Sequence, residues 1–428
     1  MTPMRVFDAL YGQIKFSDEI ASLARTPAIQ RLRKVRLSNI DSFDNPGISE
    51  ISRYEHVLGA CYLTSQAPPA NAWMSRERTL LQAAALLHDW GIAPYGHIVE
   101  EGMAYVGEMV GHEAKLAVLL SDPPQDELGG IGLLLHLGRQ AGIKDWTQDV
   151  FGSSWREALA DLEEAIRGEG RFGTLICSDV DVDNLDNVVR VAHHMGLDVD
   201  RRLPVRVVRE ITSVADDVPV FSAAGIQHLE EWLAVRHQVY SRLMPSRADF
   251  SAKAMVLYSV ARGLEDDVFD GTGKLWRMTD CEFVNELLES DSADVRKAAT
   301  DWQAGELWGL SDLVWMEGEH PPAKTDLWKL SKHMSGELLR PSLCYAIKEK
   351  RIRKLQVRTV GGVSASLGSA PNVWLLGLAV RGPDLTEQQN RMFLNAACDA
   401  FGTRPAGKAS DPAQSPDPQD RTLPLFGR

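Results

Sequence analysis

Apolar residues recur every three or four positions along most of this chain, the spacing that gives a helix one buried face. Residues 17–37 (SDEIASLARTPAIQRLRKVRL) show it behind Ser17 and Asp18, whose oxygens can accept the free N–H groups of a first turn, and Pro27 divides the stretch into two short helices. Residues 38–52 are rich in Asn, Asp, Ser, Gly and Pro and read as a loop. A helix is predicted over 53–65. The next, over 78–89 (RTLLQAAALLHD), is apolar nearly all round, which predicts a buried helix broken by Gly91 and Pro94. Further helices are expected at 112–121, 154–167, 173–195, 204–213, 225–243, 249–265, 280–288 and 293–308, with connections at 120–132 and 196–204.

After about residue 340 the pattern changes to alternation. CYAIKEKRIRKLQVRTV is strand-like and strongly basic, GGVSASLGSAP is a connection, and VWLLGLAV is a short run of strand formers. LTEQQNRMFLNAACDAFG is an amphipathic helix stopped at Gly402, and the Pro-, Asp- and Ser-rich remainder is too polar to bury a core. The expected fold is therefore mainly α. It comprises a helical core at 1–245, a helical extension at 246–340, a small α+β C-terminal region at 341–404 and a disordered tail at 405–428.

Composition narrows the function. With 428 residues, 44% of them hydrophobic, the chain can build a core of ordinary size. A net charge of −13 argues against non-specific binding to nucleic acid or to an anionic membrane, and obliges any anionic substrate to meet a focused positive site. Cys61, Cys177, Cys281, Cys344 and Cys398 form no CxxC pair and read as reduced thiols, which with the lack of a signal-like N-terminus points to the cytoplasm. No uncharged apolar run reaches the ~18 residues of a membrane span.

The candidate chemistry starts at residues 86–91, LLHDWG. A His-Asp pair ending a buried apolar helix needs a partner, because neither side chain is stable inside without one, and a divalent cation satisfies both. Upstream, ISRYEHVLGACYL places His56 one turn after Arg53. Downstream, CSDVDVDNLDNVVRVAHHMG offers Asp179, Asp181, Asp183 and Asp186, acids that equally suit a solvated helix start. The order His, His-Asp, Asp on three separate helices favours a metal site.

In that order of ligands the chain resembles the HD phosphohydrolase superfamily, and most closely its deoxynucleoside triphosphate triphosphohydrolase, or dGTPase-like, branch. DALYGQIKFSDEI, TPAIQRLRKVRL, RYEHVLG, HDWGIAPYGH, GHEAK, DVDNLDNVVRVAHHMGL, WLAVRHQVYSRL and MTDCEFVNELLESDSADVR are each similar to a family segment and follow in the same order. The resemblance implies an HD-domain helical core, a homo-oligomer, and one divalent metal ion (Mn, Fe, Co, Ni, Zn or Mg) held by His56, His88, Asp89 and Asp183. It further implies His97 and His112 as proton-transfer groups beside Asp89, and Arg53 and Arg236 as phosphate contacts. Asn184 and Asn187 stand at substrate-binding positions where the family carries a cation and a tyrosine. Ile92, Val191 and Leu37 also depart from the pattern, the last two at sugar-reading positions.

The resemblance therefore implies hydrolysis of a nucleotide phosphoester, to nucleoside and triphosphate. The departures favour two alternatives, a nucleotidase for a shorter or modified nucleotide, or a catalytically altered nucleotide-binding regulatory module. Two features lie outside this frame. Lys348, Lys350, Arg351, Arg353, Lys354 and Arg358 form a basic cluster that reads as a charged strand edge, or as an allosteric nucleotide or nucleic-acid contact. Leu423, Pro424, Leu425 and Phe426 resemble a sliding-clamp-binding peptide, although a tail packed on a neighbouring subunit would account for them too.

Overall fold

A computed structural model describes residues 4–40, 42–68, 74–108, 142–215, 218–269, 275, 276 and 278–409. The expected helix at 112–121, His112, the connection at 120–132 and the clamp-like peptide lie outside these residues.

The chain opens with a hairpin of β1 (Arg5–Asp8) and β2 (Gly12–Lys15). Asp8 closes its turn by accepting the N–H groups of Leu10 and Tyr11 at 2.8 and 3.0 Å, and Gly12 supplies the positive φ. Behind it the helices Arg53–Gln66, Ser75–Leu87, Trp155–Ile166 and Val182–His194 pack side by side, with Leu203–Arg209 and Ala223–Leu243 against the last of them. Their facing Leu, Val, Ile and Ala side chains make one apolar core. A second core forms around the helix Arg247–Glu265, which is buried along most of its length by Ala293–Gln303, by His97–Tyr105 and by a sheet.

The two cores exchange segments. Residues Ala93 to Tyr105, early in the chain, belong to the second core, where Gly102 lies so close to Val260 that an added Cβ would stand 2.6 Å from its side chain. Leu355 and Val357, late in the chain, belong to the first. Sheet topology produces this exchange. The hairpin of β3 (Ile211–Ala215) and β4 (Val218–Phe221) takes on β8 (Leu355–Thr359), parallel to β4, and then β9 (Ser364–Leu367). In the other sheet β10 (Val373–Val380) is central. It pairs on one side with β7 (Ser342–Lys348) and on the other with β5 (Gly309–Leu310) and β6 (Val314–Glu317), and β11 (Pro405–Lys408) extends β6. The chain must therefore cross between sheets at residues 349–354, the centre of the basic cluster.

Several elements differ from the expectation. The helix expected at 173–195 is two, Gly170–Ile176 and Val182–His194, because the carboxylate of Asp181 caps the second helix through Asn184 N and also takes Ser178 N. The helix expected to run to 213 ends at Arg209, where Ile-Thr-Ser-Val enters β3. That expected at 293–308 ends at Gln303, before Gly305 turns to positive φ. Helices His97–Tyr105, Ile143–Phe151 and Lys324–Leu338 were not anticipated. The expected tail from 405 begins instead with β11, and the C-terminal α+β region draws two of its strands from 309–317. The fold remains mainly α.

Phe250 joins helix to sheet in the second core. It is 1% exposed, its ring centroid is 5.0 Å from that of Tyr345, and it fills the space over Gly377 of β10. Phe250→Ala should cost about 3–5 kcal/mol, seen as a lower urea midpoint with an unchanged m-value.

Candidate metal centre

Helix ends aim the polar side chains at one point. Ser52 caps the helix Arg53–Gln66 by accepting Glu55 N at 3.2 Å, which sets Arg53 in the first turn and His56 just after it. The helix Ser75–Leu87 ends at His88, whose Nδ1 lies 2.8 Å from Ala85 O. The Asp181 cap starts the helix that carries Asp183. Arg31 then fixes the turn after the His-Asp pair, donating to Ile92 O at 2.9 Å and to Met278 O at 2.6 Å.

Ligating atoms of His56, His88 and Asp183 all lie within 4.8 Å of one another. His56 Nε2 is 2.9 Å and His88 Nε2 3.6 Å from Asp183 Oδ1. Asp89 Oδ2 stands 3.5 Å from His88 Nε2 and accepts from Arg53 Nη1 at 2.5 Å.

The donor set fits a divalent cation. His56 Nδ1 donates to Asp186 Oδ2 at 2.8 Å and His88 Nδ1 to Ala85 O, so each neutral ring turns its Nε2 lone pair inward. His88 Nε2 is buried with no hydrogen-bond partner. Two lone pairs and two carboxylates facing each other repel unless a proton or a metal lies between them. Electrostatics agree. Burial favours a neutral His56, but hydrogen bonds to Asp183 and Asp186 outweigh it and raise the ring to about 10. Burial likewise disfavours charge on Asp89 and Asp183. Arg53 with the two imidazoles, and the two imidazoles alone, respectively hold these carboxyls below the usual range.

Behind the cluster runs a buried charge network. Arg190 donates to Asp186 through Nε and Nη2, each at 2.8 Å, to Asp8 Oδ2 at 3.0 Å, and to Glu55. Tyr11 Oη donates to Asp186 Oδ1 at 2.8 Å, so the N-terminal hairpin braces the centre. Burial opposes the charge of Asp186, yet Arg190 and His56 bring its carboxyl down to about 2. Gly59 is required here, since a Cβ would stand 2.2 Å from Asp186 Oδ1. Gly96, at positive φ, gives Arg53 room in the same way.

A cavity of about 370 Å³ opens from the cluster. Arg53, Asp89, His97, Asp183 and Asn187 line it, with Val191 beside them. His97 begins its helix as an exposed side chain whose Nδ1 is 3.0 Å from Glu100 Oε2. Asn184 turns elsewhere, donating to Asp181 and accepting from Arg353 Nη1 at 3.0 Å. Arg236 is buried outside the lining, with its guanidinium 4.6 Å over the Tyr240 ring. Sequence reasoning gave Asp186 no separate role and missed Arg190. Their i, i+4 spacing on the helix that carries Asp183 is the signal that marks them.

A crystal structure of a phosphohydrolase from Bacteroides thetaiotaomicron shares the fold, with a TM-score of 0.60 at 17% identity over 89% of this chain and 100% of that one. In sequence the chain is similar to an uncharacterised protein of Methanocaldococcus jannaschii, 24% identical over 267 residues, or 61% of this chain and 50% of that protein. It is also similar to the deoxynucleoside triphosphate triphosphohydrolase SAMHD1 of Mus musculus, 31% identical over 224 residues, or 45% of this chain and 32% of that enzyme. The SAMHD1 homolog of Dictyostelium discoideum is 22% identical over 271 residues, 58% of this chain and 47% of its own. The chain thus spans half or less of the length of these three sequence relatives. No family model matches it. These likenesses support the HD-type phosphohydrolase superfamily. No helix among the described residues is long and apolar enough to cross a membrane.

Asp186→Ala should strand Arg190 and Tyr11 and free the His56 ring. Stability should fall by about 3–5 kcal/mol and metal affinity by roughly 10–100-fold, read by urea unfolding and metal titration. Asp186→Asn keeps an acceptor for the imidazole N–H and should recover more of the affinity than of the stability.

Proposed function

We propose that this chain is a metal-dependent phosphohydrolase that cleaves a nucleotide phosphoester, in the manner of a deoxynucleoside triphosphate triphosphohydrolase. The observation that supports it is the convergence of His56, His88, Asp89 and Asp183 from three parts of the chain at one end of a nucleotide-sized cavity. These four would hold one divalent ion, which supplies Lewis-acid polarisation of a phosphoryl oxygen and lowers the pKa of water. In the reaction the oxygen of water bonds to the phosphorus next to the sugar. The bond from that phosphorus to the sugar oxygen breaks, and nucleoside and triphosphate leave.

The protein's own groups divide the remaining work. Arg53 neutralises Asp89 and presents the rest of its guanidinium to the cavity, where it can meet a phosphate oxygen. His97, its ring oriented by Glu100, is the group that protonates the departing sugar oxygen. Asn187 faces the nucleoside. A second reading, a shorter or modified nucleotide, is favoured by Leu37 and Val191, which give the cavity apolar surface at the sugar-reading positions.

Incubation with Mn²⁺ and a panel of dNTPs, NTPs, diphosphates and monophosphates, followed by product chromatography, tests this. Nucleoside and triphosphate should appear with the wild type, and Asp183→Ala should lose both metal and turnover. Equal turnover by that variant would remove the site assignment, and release of phosphate from monophosphates alone would favour the second reading.

A further inference from the structure

The cavity carries a second set of charges. Besides residues of the His/Asp cluster it is lined by Lys253 of the helix Arg247–Glu265, Lys324, Lys348 at the end of β7, and Lys350 in the crossing segment. Two acids share this wall. Glu101 pairs with Lys324 at 2.9 Å, and Asp249 is occupied by Ser42 Oγ at 2.7 Å and Phe43 N at 3.0 Å. Lys253, Lys348 and Lys350 make no ion pair with a carboxylate among the described residues. Lys253 is half-buried, and burial together with the nearby Lys350 makes its charge harder to hold, against the pull of Asp249. Lys348 and Lys350 are exposed where they line the cavity, Lys350 Nζ lying 5.9 Å from the Tyr240 ring centroid, so three ammonium groups concentrate positive potential at one cavity of a chain of net charge −13, the setting that draws in an anion.

The segment that carries Lys350 is fixed in place. Lys350 N donates to Met244 Sδ at 3.3 Å, and the buried Glu349 holds Arg351. Arg353 donates to Ser178 O and Asn184 Oδ1, each at 3.0 Å, which ties the segment to the start of the helix bearing Asp183. The backbone that carries Lys350 is thus anchored beside the cavity.

We propose that Lys253, Lys348 and Lys350 form a second anion site that grips the outer phosphates of a polyphosphate whose first phosphate lies at the His/Asp cluster. This rests on the nucleotide-hydrolase reading of the same cavity. It assigns the discrimination between triphosphate and monophosphate to the C-terminal sheet and its crossing, and it supplies from elsewhere in the chain the positive charge that Asn184 lacks.

The test compares wild type, Lys348→Ala/Lys350→Ala and Lys348→Arg/Lys350→Arg, all with Mn²⁺. For the alanine variant KM for a nucleoside triphosphate should rise about tenfold or more, the loss of at least one charge-assisted contact, while kcat and the KM of the monophosphate hold. The arginine variant should stay near wild type. An unchanged ratio of triphosphate to monophosphate KM would overturn the proposal. Calorimetric titration with inorganic tripolyphosphate reads the same site without turnover. Tripolyphosphate should bind the wild type and the arginine variant and bind the alanine variant about tenfold or more weakly. Equal binding to all three, or none to the wild type, also overturns it. Should no nucleotide be hydrolysed while tripolyphosphate binding still depends on the lysines, the hydrolase reading fails and the anion site stands.

Discussion

To serve as a metal site, a cluster built from histidines needs lone pairs held still in a dry place, and here one buried carboxylate meets that need. Asp186 accepts from His56 Nδ1 and so commits Nε2 to the cavity side. The same carboxylate would be prohibitive alone, which is why Arg190, fully buried, lies against it with Asp8, Glu55 and Tyr11. Much of the surrounding sequence follows from this. Gly59 must be small for the network to close, the hairpin must fold back to bring Asp8 and Tyr11, and the helix Val182–His194 must start at Asp181 for Asp183 and Asp186 to face the same way.

The position of the centre follows from the two cores. His56, His88 and Asp183 sit on helices of the first, while the chain after Asp89 enters the second at Ala93. A cavity at such a seam is lined by elements that answer to different packing constraints. The first core fixes the ligands and the second supplies the opposite wall, including Lys253 and the end of β7. Arg31, Arg36 and Asp280 stitch the two together. Arg31 caps carbonyls on both sides, and Asp280 takes Arg36 Nε and Tyr95 N, each at 2.8 Å.

The parts of this arrangement that were legible in the sequence share a physical origin. Arg53, His56, His88 and Asp183 stand on or at the end of helices that show as an apolar run nearly all round (78–89) or as a clear one-sided apolar stripe (Val182–His194), so their elements and relative order could be read, and the structure brings His56, His88 and Asp183 together. The C-terminal helix (Glu387–Phe401) and its stop at Gly402 were equally clear, because cap and periodicity agree. What escaped was non-local. Short strands such as Gly309–Leu310 carry no periodic signal and exist only through β10, and the pairing of β4 with β8 spans more than a hundred residues of chain. The break at 177–181 escaped because apolar residues keep helical spacing on both sides of it, although Cys177 to Asp181 are weak helix formers and Asp181 stands as a cap.

The basic cluster shows how topology changes the meaning of a charge. As an isolated run, Lys348 to Arg358 reads as a strand edge kept soluble by cations. Once β7 belongs to one sheet and β8 to the other, the residues between them must bridge the two, and the bridge lines the same cavity as the His/Asp cluster. Arg353 is consumed in anchoring it and Arg351 in pairing with Glu349 while lying 4.2 Å over the Trp315 ring, so the cluster divides into cations that hold the crossing and cations that face the cavity. For the proposed action on a polyanion, an acidic protein has to concentrate positive potential where the substrate lies and nowhere else. A short crossing fixed at both ends by strands does that with a handful of residues, and it leaves the helices of the first core free to be shaped by the metal ligands alone.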